Sequence, residues 1–68
     1  MTELMVDERG SALRATWHGD EGVLVLSVWH DGECAGSVRL PPDEVARLGR
    51  YVITSLAARR TSAPPETV

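Results

Sequence analysis

One stretch of the chain, residues 23–30 (V-L-V-L-S-V-W-H), is apolar at both odd and even positions. Successive side chains of a β-strand point to opposite faces, so this pattern predicts a strand that is covered on both sides. The polar segment Gly-Asp-Glu-Gly precedes it, and Asp31-Gly32, the dipeptide typical of a two-residue type I′ hairpin, follows it. We therefore predict that residues 23–30 form the central strand of an antiparallel sheet.

Weaker alternation on either side predicts the neighbouring strands. Residues 12–18 alternate with Leu13, Ala15 and Trp17 on one face, and residues 33–40 continue from the hairpin. Residues 3–8 alternate only weakly, so this segment either forms a separate edge strand or runs straight into the next one. The pattern predicts an antiparallel meander of three strands, or of four if the first segment is separate.

A helix is predicted after the last strand. The Pro41-Pro42 pair suits a first helical turn, whose N–H groups lack partners, and the acidic residues that follow suit the positive end of the helix dipole. Apolar residues then recur at steps of three and four up to about residue 60: Val45, Leu48, Val52 and Leu56. The expected fold class is α+β, with one domain over residues 1–60, one C-terminal helix on one sheet face, and a disordered tail at 61–68.

The hairpin turn predicts the register. If alternation is strict beyond Asp31-Gly32, the predicted opposite pairs are His30–Glu33, Trp29–Cys34, Val25–Val38 and Val23–Leu40. One face then collects Val23, Val25, Trp29, Cys34, Val38 and Leu40, and Leu13, Ala15 and Trp17 join it if the preceding hairpin pairs Trp17 with Val23. We expect the helix to cover this face. The opposite face then combines an apolar centre with an Arg rim, which is the composition of a protein interface. Its residues are the first candidate interface: Leu24, Leu26, Val28, Arg14 and Arg39. A second candidate is a stripe of mostly small residues on the helix: Ala46, Gly49, Ile53 and Ala57.

The composition favours association and offers little chemistry. A 68-residue chain buries only about 60% of its unfolded surface, and small domains usually add disulfides, a metal or a partner chain. Cys34 is the only cysteine, so an internal disulfide and a Cys-based zinc site are excluded. The predicted register turns Cys34 into the core and separates His18 from His30 by about 26 Å, at roughly 3.3 Å per residue. We predict no metal, no cofactor and no enzymatic activity.

Charge and hydropathy restrict the partners and the location. The net charge is −3, and all seven basic residues are Arg, which argues against strong nonspecific binding of nucleic acid. The first five residues lack the basic and apolar regions of a signal peptide, and no apolar run reaches the roughly 18 residues of a membrane span. We expect a cytoplasmic protein without membrane contact.

The strand-to-helix passage Leu-Pro-Pro-Asp-Glu-Val-Ala-Arg-Leu, residues 40–48, resembles that of the single-strand-binding transcriptional coactivator family (positive cofactor four). The resemblance covers about residues 33–56 and implies a homodimer that binds single-stranded DNA on its sheet. The family's basic and aromatic strand positions are not matched, so no residue role is carried over. In composition the chain also resembles small actinobacterial proteins of unassigned function.

Two functions are therefore expected. The first is a small, non-catalytic homodimer or adaptor that acts through protein–protein contact, in a regulatory role. The alternative is a single-strand nucleic-acid binder that uses Arg14 and Arg39. The predicted register turns both Trp side chains inward, which removes the stacking platforms that such binding uses.

Overall fold

The computed structural model describes residues 1–61, so the predicted tail lies outside the described residues except for Thr61. Four strands are followed by a helix: β1 (Thr2–Val6), β2 (Ala12–His18), β3 (Val23–His30), β4 (Glu33–Leu40) and α1 (Pro42–Thr61). The strands form one antiparallel sheet in the order β1-β2-β3-β4. The predicted α+β class and single C-terminal helix are confirmed, and the first segment is a separate edge strand.

The β3–β4 hairpin turns as its sequence predicts. Asp31 has φ 54° and Gly32 has φ 79°, the two positive values that a type I′ turn requires. His30 pairs with Glu33, and Trp29 pairs with Cys34. The first two predicted pairs of this hairpin are therefore confirmed.

Beyond those two pairs, β4 contains a β-bulge. Val28 pairs with Gly36 rather than with Ala35, so β4 places one extra residue opposite the Val28–Trp29 step. Every later pair shifts by one residue, and Leu26 now faces Val38. The predicted pairs of Val25 with Val38 and of Val23 with Leu40 are wrong, because a one-residue shift moves each β4 side chain to the other face.

The β2–β3 hairpin differs from the expected register by one residue as well. Trp17 pairs with Leu24, and His18 pairs with Val23. The four-residue loop between these strands is closed by backbone N–H groups of Glu21 and Gly22, which donate to the His18 carbonyl at 3.1 and 2.8 Å. The odd-numbered residues of β2 consequently share a face with the even-numbered residues of β3.

Together the two registers sort the sheet into an apolar face and a polar face. The apolar face comprises Met5, Leu13, Ala15, Trp17, Leu24, Leu26, Val28, Val38 and Leu40. The polar face carries Arg14, Thr16, His18, Ser27, Trp29, Cys34, Ser37 and Arg39, together with Val23 and Val25. The predicted composition of both faces is therefore wrong, although the odd–even division of β3 itself was assigned correctly.

Helix α1 contacts only β3 and β4 among the described strands. The Pro41 carbonyl accepts hydrogen bonds from the N–H groups of Glu44 and Val45, both at 3.0 Å, which starts the helix where the Pro pair predicts. Along the predicted apolar stripe, Val45 is half-buried, whereas Leu56 is 54% exposed. The stripe exists, but its distal half is not covered by this chain's own sheet.

No hydrophobic side chain in residues 1–59 is buried, and Ser27 at the centre of the sheet is the one buried polar residue there. The Cα radius of gyration is 14.4 Å, against about 11 Å for a compact domain of this length. When a helix packs over only one end of a single sheet, the rest of the apolar sheet face has no second layer to cover it. The described part of the chain therefore forms secondary structure without enclosing a hydrophobic core.

The type I′ turn can be tested by Gly32→Ala. A Cβ at positive φ is strained, so the free energy of unfolding should fall by about 1 kcal/mol in urea denaturation. Gly36→Ala is the matched control, because Gly36 lacks a positive φ and a Cβ there would meet no atom within 4 Å. Equal effects of the two substitutions would contradict this account of the turn.

Candidate functional site

The apolar face is open at the end remote from the helix. Two adjoining grooves of about 390 and 400 Å³ share Leu13 and Val28 in their linings. The first extends to Met5 on the edge strand, and the second passes over Leu26 to Val38. We call this continuous surface the apolar trough, with Met5, Leu13, Leu26, Val28 and Val38 as its residues.

Side chains in the trough are too exposed for a finished core. Val28 is 45% exposed and Val38 is 52% exposed, although both lie in central parts of their strands. At the other end of the face, Leu40 lines a separate groove with the first turns of α1, so the helix begins there. A contiguous apolar surface of this kind marks an interaction site.

The first predicted interface is only partly brought together. Leu24, Leu26 and Val28 share the apolar face, and Leu24 and Leu26 are half-buried. Arg14 and Arg39 lie on the polar face instead, so the predicted Arg rim around the apolar centre is wrong. Sequence reasoning also missed six members of the real apolar face that it had assigned to the helix side or left unassigned: Met5, Leu13, Ala15, Trp17, Val38 and Leu40.

A signal for this error was present in the sequence. Gly36 is an isolated glycine inside a strand pattern, and such a glycine often marks a β-bulge. A bulge on β4 between Cys34 and Ser37 would have placed Val38 and Leu40 on the side of Leu24 and Leu26, as observed. The period-two pattern alone gives no way to see where strict alternation stops.

The polar face has its own local order. The Arg14 guanidinium carbon lies 4.8 Å from the centre of the Trp29 ring, and the Trp29 indole N–H donates to the Ser27 hydroxyl at 2.9 Å. Arg39 pairs with Glu21 at 2.9 Å. All three contacts are at least partly solvent-exposed, where ion and cation–π pairs each contribute about 1 kcal/mol or less. Trp29 is therefore a polar-face residue, which corrects its predicted inward position.

Cys34 also lies on the polar face, and it is exposed. Its thiol reaches the Gly36 carbonyl at 3.6 Å, a weak interaction across the bulge. The prediction of a buried structural cysteine is wrong for the same reason as that of Trp29. Both follow from the face assignment of this hairpin.

The two histidines lie at opposite ends of β3, as predicted. His18 pairs with Val23, and His30 lies seven residues further along the same strand. Within residues 1–61, no group of three or more His, Cys, Asp or Glu side chains could hold a metal ion.

His30 takes part in a Ser-His-Asp arrangement. Its Nδ1 lies 2.9 Å from the Ser11 hydroxyl, and its Nε2 lies 3.4 Å from an Asp31 carboxylate oxygen. The imidazole is 64% exposed and the carboxylate 87% exposed, so water competes for each contact. We interpret the network as a link between the β1–β2 turn and the β3–β4 turn.

The second predicted interface faces solvent in the single chain. Its four positions are all exposed: Ala46, Gly49, Ile53 and Ala57. A Cβ built at Gly49 meets nothing within 4 Å, so this stripe is not packed against the sheet. The helix thus exposes this stripe as well as the distal half of its longer apolar stripe.

In comparisons with known proteins, no protein-family model, no curated protein and no solved structure matches this chain. Among the described residues, no helix is long and apolar enough to span a membrane.

The exposure of Cys34 predicts its reactivity. In the native protein, Ellman's reagent should modify about one thiol per chain without a lag, and denaturant should not increase the yield. A thiol that reacts only after denaturation would show instead that the polar face is covered.

Proposed function

We propose that the protein is a small, non-catalytic homodimer that acts through protein–protein contact, in a regulatory role, with the apolar face as its interface. The observation that carries the proposal is the apolar trough, which no part of the described chain covers. The same face could be covered by a different protein, in which case the chain is an adaptor. We favour the homodimer because a second copy is present wherever the chain is present.

The magnitude of the exposed apolar surface supports association. Burying a Val, Leu or Met side chain fully contributes about 1.5–3 kcal/mol, and a small domain is stable by only about 5–15 kcal/mol in total. The trough presents several such side chains that are about half exposed. Covering them would add a large fraction of the stability that a domain of this size can have.

The remaining parts of the proposal concern chemistry and location. The described residues offer solvent-exposed polar groups and open grooves rather than an enclosed pocket with convergent polar side chains. We propose no cofactor, and we propose that the protein works in the cytoplasm, where a single exposed thiol stays reduced.

Two residues of β4 provide the test. Val38 points to the apolar face and Cys34 to the polar face, and both are exposed in the single chain. Val38→Glu should weaken dimerisation by at least about 100-fold, because an unpaired buried carboxylate costs about 3–5 kcal/mol and 1.4 kcal/mol corresponds to a factor of ten. Light scattering across a concentration series measures the mass of each variant.

Cys34→Glu is the matched control, since it adds the same charge to the same strand on the opposite face, outside the lining of both trough grooves. It should leave the mass of the dimer unchanged. A wild type that is monomeric at tens of micromolar, with both variants equally folded by circular dichroism, rejects the homodimer. A monomeric wild type that is stabilised by a specific partner protein would support the adaptor instead.

One observation favours a second candidate function, single-strand nucleic-acid binding. Trp29 lies on the same face as Arg14 and Arg39, and the Arg14 guanidinium lies against the Trp29 ring, so an aromatic ring and a cationic side chain are adjacent there. Proteins that bind single strands combine these two elements. The net charge of −3 opposes nonspecific attraction, and any such site would have to be local.

The second candidate predicts that a labelled thymidine oligomer binds at low salt, with affinity that falls steeply as salt is added. Arg14→Ala should weaken binding severalfold and lower the salt dependence by about one phosphate contact. Arg50→Ala on the helix removes the same charge and should have no effect. Fluorescence anisotropy that stays unchanged at low salt would falsify this function.

A further inference from the structure

The distal half of α1 presents apolar side chains that the described part of the chain leaves partly exposed. Val52 is 41% exposed and Leu56 is 54% exposed, although the helix contacts the sheet at β3 and β4. Helical side chains three and four residues apart lie on one side, so Val52 and Leu56 continue the stripe that Val45 and Leu48 begin. The helix therefore extends an apolar strip beyond the region that its own sheet covers.

The apolar trough is the matching surface on the sheet. The distal half of α1, residues 52–61, is about 15 Å long at 1.5 Å per residue. The trough crosses the sheet from Met5 on β1 to Val38 on β4, which is about 14 Å for three strand spacings of roughly 4.8 Å. The uncovered part of the helix and the trough thus have similar length. Helix on sheet is also one of the few stable ways to pair two such layers.

Charge is divided between these two parts of the chain in a complementary way. Residues 1–40 contain seven acidic and three basic residues, a net charge of −4, whereas residues 45–61 contain four Arg and no acidic residue. Glu3 lies on the apolar-face side of the edge strand, and Glu33 pairs with His30 at the end of the trough. Arg59 follows Leu56 by one helical turn on the apolar strip. Sheet-to-sheet contact would bring like charges together, and so would helix-to-helix contact.

From these three observations we propose that the homodimer is reciprocal: the distal half of α1 from each copy lies in the apolar trough of the other. This proposal rests on the proposed homodimer and specifies its contact. Two identical helix-on-sheet contacts related by a twofold axis form a closed, isologous assembly. The contact covers the trough and the helix strip at once and leaves both polar faces exposed.

Engineered disulfides between separately prepared variants test this contact. In a Cys34→Ser background, Val28→Cys places a thiol in the trough and Leu56→Cys places one on the helix strip. The two variants are mixed, allowed to exchange subunits and oxidised. The yield of the disulfide-linked dimer of one Val28→Cys chain and one Leu56→Cys chain should exceed the yield of either dimer of identical variants by about tenfold or more. The reason is that thiols held in contact react far faster than thiols that only collide.

A second pair guards against a substitution that disturbs folding. Val38→Cys and Val52→Cys probe the same contact at other positions, and light scattering confirms that each variant remains dimeric before oxidation. Predominant linkage of two Val28→Cys chains would indicate a sheet-to-sheet dimer, and predominant linkage of two Leu56→Cys chains a helix-to-helix dimer. Either outcome overturns the reciprocal contact while leaving the homodimer intact, as does a dimer in which neither mixed pair links. A monomeric Cys34→Ser protein overturns the proposed homodimer itself.

Discussion

The pairing of β3 with β4 across the bulge at Ala35 is the constraint on which the rest of the structure depends. Before the bulge, Cys34 and Trp29 occupy one face, and after it the same face receives Ser37 and Arg39. One extra residue therefore brings Val38 and Leu40 to the side that holds Leu24 and Leu26. Without it, each face would mix apolar and charged side chains, and neither would be suited to a large apolar contact.

The segregation of the two faces makes the single chain an incomplete unit. A sheet with one apolar face needs a second layer, and α1 supplies that layer only near the end of the sheet where the helix starts. Because most of the apolar face is uncovered, no hydrophobic side chain in residues 1–59 is buried. Val52 and Leu56 on the distal half of α1 therefore stay partly exposed among the described residues, as do the side chains of the trough.

The polar face has a different character, because its contacts are satisfied within the chain. Arg14 lies over Trp29, Trp29 donates to Ser27, and Arg39 pairs with Glu21. These exposed contacts contribute little stability each, and a ligand could exchange them at low cost. An assembly through the apolar face and a ligand on the polar face are therefore compatible, since they use opposite sides of one sheet.

The sequence by itself determined the elements: the α+β class, the strand boundaries near Asp31-Gly32, the helix start at the Pro pair and the division of β3 into odd and even sides. These depend on local preferences, namely positive φ in a type I′ turn, the missing N–H of proline and the two-residue period of a strand. Only the tertiary structure decided which side chains share a face, how far the helix covers the sheet, and that Cys34 and Trp29 are not in a core. Register is set by pairing between distant segments, and a bulge or a one-residue loop difference changes it without changing any local pattern. The three leucine and valine residues of β3 could therefore be identified as a candidate surface from sequence, whereas their true neighbours could not.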